Sequence, residues 1–536
     1  MILPQDNFAK LTFLVIDDFQ GMRSLLREML RENGASTIDL AMNGLDAIKQ
    51  LSGRKYDVVL CDYNLGDGKN GQQVLEEAKI KQLISPTCTW IMITAEKSSD
   101  WIMGAVEYQP DAYLIKPITG ELLLSRLDKI RTKKQAFAEI NQAIINKNYL
   151  RAIALCDARL AHDTANATEL RRIKGQLLLD AGEPAQAAAL FEEVLAEREI
   201  PWARTGLGKV CFLKGDFEGA SQHCQLSIAT NRAYLEAYDW LAKAQQQLKQ
   251  PEQAEATLAE AVKISPNSAQ RQKELGTLAL QRGDMALAER AFRKSIQVGE
   301  HSVQNAPDAY LGFAKVCGAT NKADEALKVL ATVQKQFSDT EVKLRVKATE
   351  GLIYTQTNNL QRASEAAQEV EQLLQQCASM KNEAAGLEAA QLLLSTGRVE
   401  SAVSLLQNVV KNNHENSTVT GQVQALFSAA GMAEEGERLV NDSRKEAVEL
   451  MNSGVMLMRE GKVEEALNAI RTARNTMPNN PRVLLNFAYV ATIYMQRNGV
   501  SPSLINEAKT ALLEANRIAP GEKRFAQLQE ALSALQ

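Results

Sequence analysis

The 536-residue chain has no Cys-x-x-Cys pair, and its seven cysteines (Cys61, Cys88, Cys156, Cys211, Cys224, Cys317 and Cys377) are odd in number. That argues against a disulfide framework and against the common zinc-ligand spacings. Several of these thiols fall inside apolar patterns, where free cysteine packs as a small hydrophobe. A reducing, cytoplasmic setting is expected. No run approaches the roughly 18 apolar residues of a membrane helix. No charged-then-apolar leader with a cleavage site is present, because Asp17-Asp18 interrupts the first apolar run. A basic excess is also missing. Lys and Arg number 61 against 65 Asp and Glu. Residues 1–130 hold 14 basic and 18 acidic side chains, leaving 47 of each in the remainder. Nucleic-acid binding needs clustered positive charge, so neither that nor membrane binding is expected. The length alone calls for two or more domains.

What is present comes first in the strands. Phe13-Leu14-Val15-Ile16 ends in Asp17-Asp18, and Val58-Val59-Leu60-Cys61 ends in Asp62. Trp90-Ile91-Met92-Ile93 ends in Thr94, and Ala112-Tyr113-Leu114-Ile115 ends in Lys116-Pro117. Strands at 11–16, 36–40, 56–61, 88–94 and 111–115 alternate with helical patterns at 20–33, 44–52, 70–83, 98–108 and from 120 onward. This predicts an α/β domain with a five-stranded parallel sheet, doubly wound by helices. The carboxyl ends of such strands converge on one crevice. An acid trio, a hydroxyl and an amine there suit a divalent cation and a phosphoryl group.

The joint set of Asp17-Asp18, Asp62, the Met-Ile-Thr-Ala segment at 92–95, Tyr113 and Lys116-Pro117 resembles the CheY-like receiver domain of two-component response regulators. The resemblance covers about residues 9–130, with a flavodoxin-like fold. It implies that Asp62 is the phosphoacceptor and nucleophile. It implies Mg²⁺ held by Asp17, Asp18, Asp62 and the backbone carbonyl of Asn64, since this hard ion takes oxygen ligands. Lys116 and Thr94 would stabilise the phosphoryl oxygens, and Thr94 with Tyr113 would form the switch. One hydrogen bond to a charged group contributes roughly 1.5–3 kcal/mol. A full population switch needs about 5.5 kcal/mol, so these contacts must act together or with a partner. The chain departs from the family in its loop Asn64-Leu65-Gly66-Asp67-Gly68-Lys69-Asn70-Gly71. It has three glycines, an extra acid at Asp67 and no proline, which leaves the lifetime of the phosphoryl group open.

Beyond residue 116 no strand pattern occurs. A small residue after a turn recurs at Ala152, Ala187, Ala220, Ala254, Ala288, Ala326, Ala363, Ala402, Gly436, Ala466 and Ala508. Turn residues such as Gly182, Gly215, Gly283, Asn321, Asn358, Gly397 and Gly461 precede most of these by about five positions. A period near 34 with these features resembles the tetratricopeptide repeat (TPR). The expectation is an all-α superhelical solenoid of about eleven helix pairs over 131–536, after a receiver domain at 1–130. The 235–268 and 447–480 units match best. Paired helices need small residues at their contact, and each unit buries its apolar face on its neighbours. Carrying the family pattern across, Val448, Met451, Val455 and Met458 line an inner groove in one unit, with Glu236, Asp239, Lys243 and Gln246 in the other. The alternative is that the apolar set packs on an adjacent helix. Such a groove suits a peptide or protein helix. The four histidines are scattered singly, and no catalytic constellation is visible.

Between Glu121 and Asp180 the only glycine is Gly175, and there is no proline. Either the last receiver helix runs on into the repeats or it breaks near Arg131-Thr132-Lys133-Lys134. The whole predicts a bacterial-type phosphorelay response regulator, not an enzyme beyond its own phosphorylation and dephosphorylation. A sensor histidine kinase would phosphorylate it, its output would be protein binding by the repeats, and a homodimer is open. A second reading is a phosphoryl sink or relay member that modulates a kinase, tethered by the repeats. A third is an RNA-binding array, which the neutral charge balance disfavours.

Overall fold

β-branched and aromatic residues build five strands, β1 Thr12–Ile16, β2 Thr37–Ala41, β3 Val58–Asp62, β4 Thr89–Thr94 and β5 Ala112–Ile115. They pair in parallel in the order β2-β1-β3-β4-β5. The computed structural model of the chain describes residues 8–95, 110–376, 383–519 and 522–535. The helix expected at 98–108 lies outside the described residues, as do Cys377 and Pro520. Every residue of β3 and β4 is buried, as strands covered on both faces require.

Alternation along the strands divides the core. Leu14, Ile16, Val59, Cys61, Trp90 and Met92 pack on one face with Ala47, Leu51, Val74 and Ala78. These last four come from α2 (Gly44–Gly53) and α3 (Gly71–Ile80). Phe13, Val15, Val58, Leu60, Ile91 and Ile93 take the other face. They meet Leu26 and Leu30 of α1 (Gln20–Glu32), and Leu123 and Leu127 of α4 (Gly120–Ala136). Successive strand residues point to opposite faces, so each strand feeds both layers. The strand order reverses between β1 and β3, which places the crevice for ligands at their carboxyl ends.

α4 passes unbroken through Arg131–Lys134 and ends at Ala136. A single turn residue, Phe137, leads into the helix Ala138–Ile145. Phe137 is buried in a cluster with Ile140, Ala143, Ala152, Cys156, Leu170 and Leu177. Lys134 near the end of α4 binds the carbonyl of Cys88 and the carboxylate of Asp111, the latter at 2.8 Å. The helix end is thereby tied to the amino-terminal edge of the sheet.

The rest of the described chain is helical. The recurring small residues are all buried. Ten of the eleven fall at the fourth position of the second helix of a pair, as Ala254 does in Pro251–Ile264 and Ala326 in Ala323–Gln336. Their turn partners take left-handed backbone, from Asn358 at φ 58° to Gly283 at φ 82°, the conformation for which Gly and Asn are suited. Close approach explains Gly276, because a Cβ there would lie 2.9 Å from the ring of Phe292. One unit boundary is absent. Ala433–Arg459 is a single helix of 27 residues that joins the second helix of one pair to the first of the next. Between Glu437 and Ser453 it has neither glycine nor proline, so nothing stops it.

The described residues fall into two compact units, the first drawn from residues 1–177 and 187–306, the second from 178–186 and 307–536. In the second, Arg345 lies buried between Glu388 at 2.8 Å and Asp308 at 2.6 Å, and Lys315 reaches Glu388 at 2.6 Å.

Candidate functional site

Asp17 follows β1 and is 1% exposed. Its Oδ1 accepts the backbone N–H of Phe19 at 2.8 Å, and Arg23 of α1 donates to its carbonyl at 2.6 Å. Asp62 closes β3 and is 7% exposed. Asp18 beside them is exposed. Carboxylate oxygens of Asp17, Asp18 and Asp62 lie within 4.8 Å of one another. Lys116 follows β5, across a cis peptide to Pro117. Its ammonium donates at 3.1 Å to Oδ2 of Asp17 and at 3.1 Å to Oδ2 of Asp62.

Burial pushes the Asp62 carboxyl up to about 6, Lys116 pulls it down, and the neighbouring Asp17 adds to the rise. For Lys116, burial lowers the ammonium, but the bonds to Asp62 and Asp17 outweigh it and hold it above its usual range. Two buried acids sharing one cation is an electrostatic arrangement that favours further positive charge. Three hard oxygen ligands with one solvent-facing member fit a small divalent ion that keeps several waters.

Thr94 ends β4, is 8% exposed, and sits one residue beyond Ile93, the register partner of Asp62. The N–H of Lys116 donates to the Thr94 carbonyl at 2.8 Å, fastening the two strand ends. Tyr113 pairs in register with Met92 and is half-buried. Its hydroxyl is buried with no hydrogen-bond partner among the described residues. Burial and the nearby Tyr63 push it up to about 12. Asn64 is exposed, and its Oδ1 accepts from the N–H of Gly66 at 3.4 Å.

Sequence reasoning missed two residues here. Arg23 holds the backbone of Asp17, and its signal was a basic residue in the first turn of α1. Gly71 opens α3 against the end of β3, where a Cβ would lie 2.1 Å from the carbonyl of Asp62. Its N–H donates to Tyr63 at 2.8 Å.

In the repeats, the residues read as a groove are differently placed. Met451 is 8% exposed, so the array itself takes up its side chain. Val448 is 41% exposed, while Val455 and Met458 are half-buried. Lys243 is exposed, with its ammonium 4.6 Å above the ring of Trp240. Glu236 pairs with Lys209 at 2.5 Å, and Asp239 pairs with Arg271 at 2.7 Å. These ion pairs link successive first helices, Pro201–Leu213 to Leu235–Gln247 and Leu235–Gln247 to Ala269–Arg282. No helix is long and apolar enough to cross a membrane among the described residues.

The response regulator receiver domain family matches residues 13–128. Tetratricopeptide repeat families match residues 174–234 and 235–268. The chain is 32% identical over 117 residues to chemotaxis protein CheY-3 of Vibrio cholerae, covering 22% of this chain and 88% of that protein. It is 28% identical over 117 residues to chemotaxis protein CheY of Pseudomonas aeruginosa, covering 22% of this chain and 93% of that protein. Among solved structures it is similar to CheY4 of Vibrio cholerae, at 21% identity and a TM-score of 0.21 over 22% of this chain and 98% of that one. A two-component response regulator from Clostridium difficile is 30% identical with a TM-score of 0.21, over 23% of this chain and 95% of that one. The chain belongs to the response regulators of two-component systems, with a CheY-like receiver domain at its amino end and tetratricopeptide repeats after it.

Proposed function

We propose that Asp62 is the phosphoacceptor of this regulator, that a sensor histidine kinase is the donor, and that phosphorylation governs protein binding by the repeats. The supporting observation is the shared ammonium of Lys116, 3.1 Å from both Asp17 and Asp62 at the carboxyl edge of the sheet. A carboxylate attacking a polyanionic donor needs its charge offset, and fixed cations aimed at developing charge supply that.

An oxygen of Asp62 attacks phosphorus, and the nitrogen of the donor histidine leaves. Asp17, Asp18, Asp62 and the carbonyl of Asn64 are the residues that would hold Mg²⁺. When bound, that ion neutralises charge between the acceptor carboxylate and the phosphoryl oxygens. Lys116 keeps a positive charge against the same oxygens. Thr94 would donate its hydroxyl to a phosphoryl oxygen, and the buried hydroxyl of Tyr113 would gain a partner by moving. The domain acts on its own acceptor and has no other substrate in this reading.

The output is a protein or peptide ligand of the repeats, bound in the cytoplasm of a bacterial cell. Exposed Lys243 in the first unit and exposed Val448 in the second are each a candidate contact. Acetyl phosphate tests the first step. Wild-type protein gains one phosphoryl group in the presence of magnesium, and Asp62→Asn gains none. Labelling that persists in Asp62→Asn moves the acceptor elsewhere.

A further inference from the structure

The acceptor loop touches the repeats. Within the first compact unit, Lys69 donates its ammonium to the carbonyl of His301. The side-chain amide of Gln73 donates to the carbonyl of Val298 at 3.3 Å. The hydroxyl of Ser302 donates to the carboxylate of Glu76 at 2.7 Å. A cleft of about 400 Å³ lies along this seam, with Tyr63, Asn70 and Gln73 on one wall and Lys294, Gln297 and His301 on the other.

The chemistry of the seam is specific. Val298 is in the last turn of the helix Met285–Gly299, where carbonyls have no partner within the helix. That end carries partial negative charge, so a lysine ammonium and an amide N–H suit it. Ser302 also accepts the N–H of Gln304 at 2.9 Å, and its own N–H donates to Gly299 at 2.9 Å. Its hydroxyl therefore ties the turn 299–304 to Glu76. Glu76 is 8% exposed and needs such a donor.

On the other side, the seam is wired to the acceptor. Gln73 uses its amide oxygen to accept the N–H of Asn70 at 3.0 Å, while Asn70 caps Gln73 at 2.9 Å. One amide group thus closes the cap of α3 and holds Val298. Gly66 and Gly68 sit at φ 74° and 97°, giving the loop freedom to turn. Gly71 has none to give, because it lies against the carbonyl of Asp62. A displacement of the 62–70 loop passes to the Asn70 cap and so to Lys69 and Gln73.

We propose that Lys69, Gln73 and Glu76 form a phosphorylation-sensitive clasp on the 298–302 segment of the same chain, closed in the unphosphorylated protein and opened by phosphorylation. The proposal rests on Asp62 being the acceptor. The added anionic charge competes for Lys69, whose ammonium pairs with the Glu77 carboxylate at 3.1 Å and meets the repeats through the neutral carbonyl of His301. Opening frees the end of Met285–Gly299 and the cleft wall for a partner.

Hydrogen exchange on the full chain, read beside intact mass, tests this. With acetyl phosphate and magnesium, amides at 298–304 exchange roughly tenfold faster as the mass rises by one phosphoryl group. Ser302→Ala raises that exchange without phosphate and leaves labelling at Asp62 intact, because Ser302 lies on the repeat side of the seam; Lys69→Ala raises the exchange as well. A mass gain with unchanged exchange at 298–304 overturns the clasp alone. No mass gain overturns the acceptor assignment and the clasp with it.

Discussion

Gly71 stands so close to Asp62 that the alpha-carbon of one and the carbonyl of the other leave no room for a methyl group between them, the gap to a built Cβ being 2.1 Å. The first residue of α3 and the last of β3 therefore move as one body. Gly71→Ala must displace either the strand end or the helix start. Overpacking of this kind costs roughly 1–3 kcal/mol. We expect a lower unfolding midpoint and slower labelling by acetyl phosphate, checked by denaturation and phosphorylation kinetics on the same preparation. Unchanged labelling would show that the acceptor tolerates movement of α3.

Lys116 is the shared cation of two buried acids. Lys116→Met leaves Asp17 and Asp62 facing each other without it. Loss of one preorganised charge-stabilising donor typically slows chemistry about 10²–10³-fold. Labelling of Asp62 should fall by that order, while Lys116→Arg recovers part of it. The check is the initial rate of phosphoryl incorporation at saturating magnesium.

Thr132 lies inside α4, its hydroxyl bonded to the carbonyl of Asp128 at 3.0 Å. Proline there removes a helix hydrogen bond and costs about 3 kcal/mol. Thr132→Pro should break the continuity from the sheet through Lys134 to Phe137. Labelling at Asp62 survives, and any phosphate-dependent change in partner affinity is lost. Binding curves with and without the phosphoryl group measure it.

In the second unit, burial pushes the Glu388 carboxyl up, but the charge of Lys315 and the bonds from Arg345 outweigh it and hold it below the usual 4.5. A depressed carboxyl contributes stability that is present above the unfolded value and lost as pH falls through the folded one. The acid limb of the unfolding profile should therefore flatten in Glu388→Gln. Arg345→Met, which leaves buried Glu388 with Lys315 as its remaining cation, should cost up to about 3 kcal/mol at neutral pH. Equilibrium unfolding from neutral to acid pH checks both.

The sheet and its site were legible because each apolar run stops at a polar residue. Asp17, Asp62 and Lys116 announced themselves by position, and β1 to β5 lie within two residues of the expected bounds. The repeats were legible because helix packing imposes a small residue at a fixed place, so Ala152 through Ala508 stood out. What escaped was contact between distant positions. Nothing local to Lys69 foretells His301, and Met451 reads the same whether it faces a groove or a neighbouring helix. The ion pairs of Glu236 and Asp239 belong to a register between units, which one unit taken alone does not display. The merger at 433–459 was readable from its missing glycine and proline, but the repeat frame suggested a turn there.

That merged helix has mechanical meaning. Among the described residues the other consecutive pairs meet at a turn, and a turn is a joint that rotates at small expense. Across Ala433–Arg459 the backbone ladder itself would have to bend. Strain applied to this stretch is deflected to its flanking joints, so the tenth pair rides on the ninth as a single lever arm. A ligand gripping both would meet a surface whose spacing is set before it arrives.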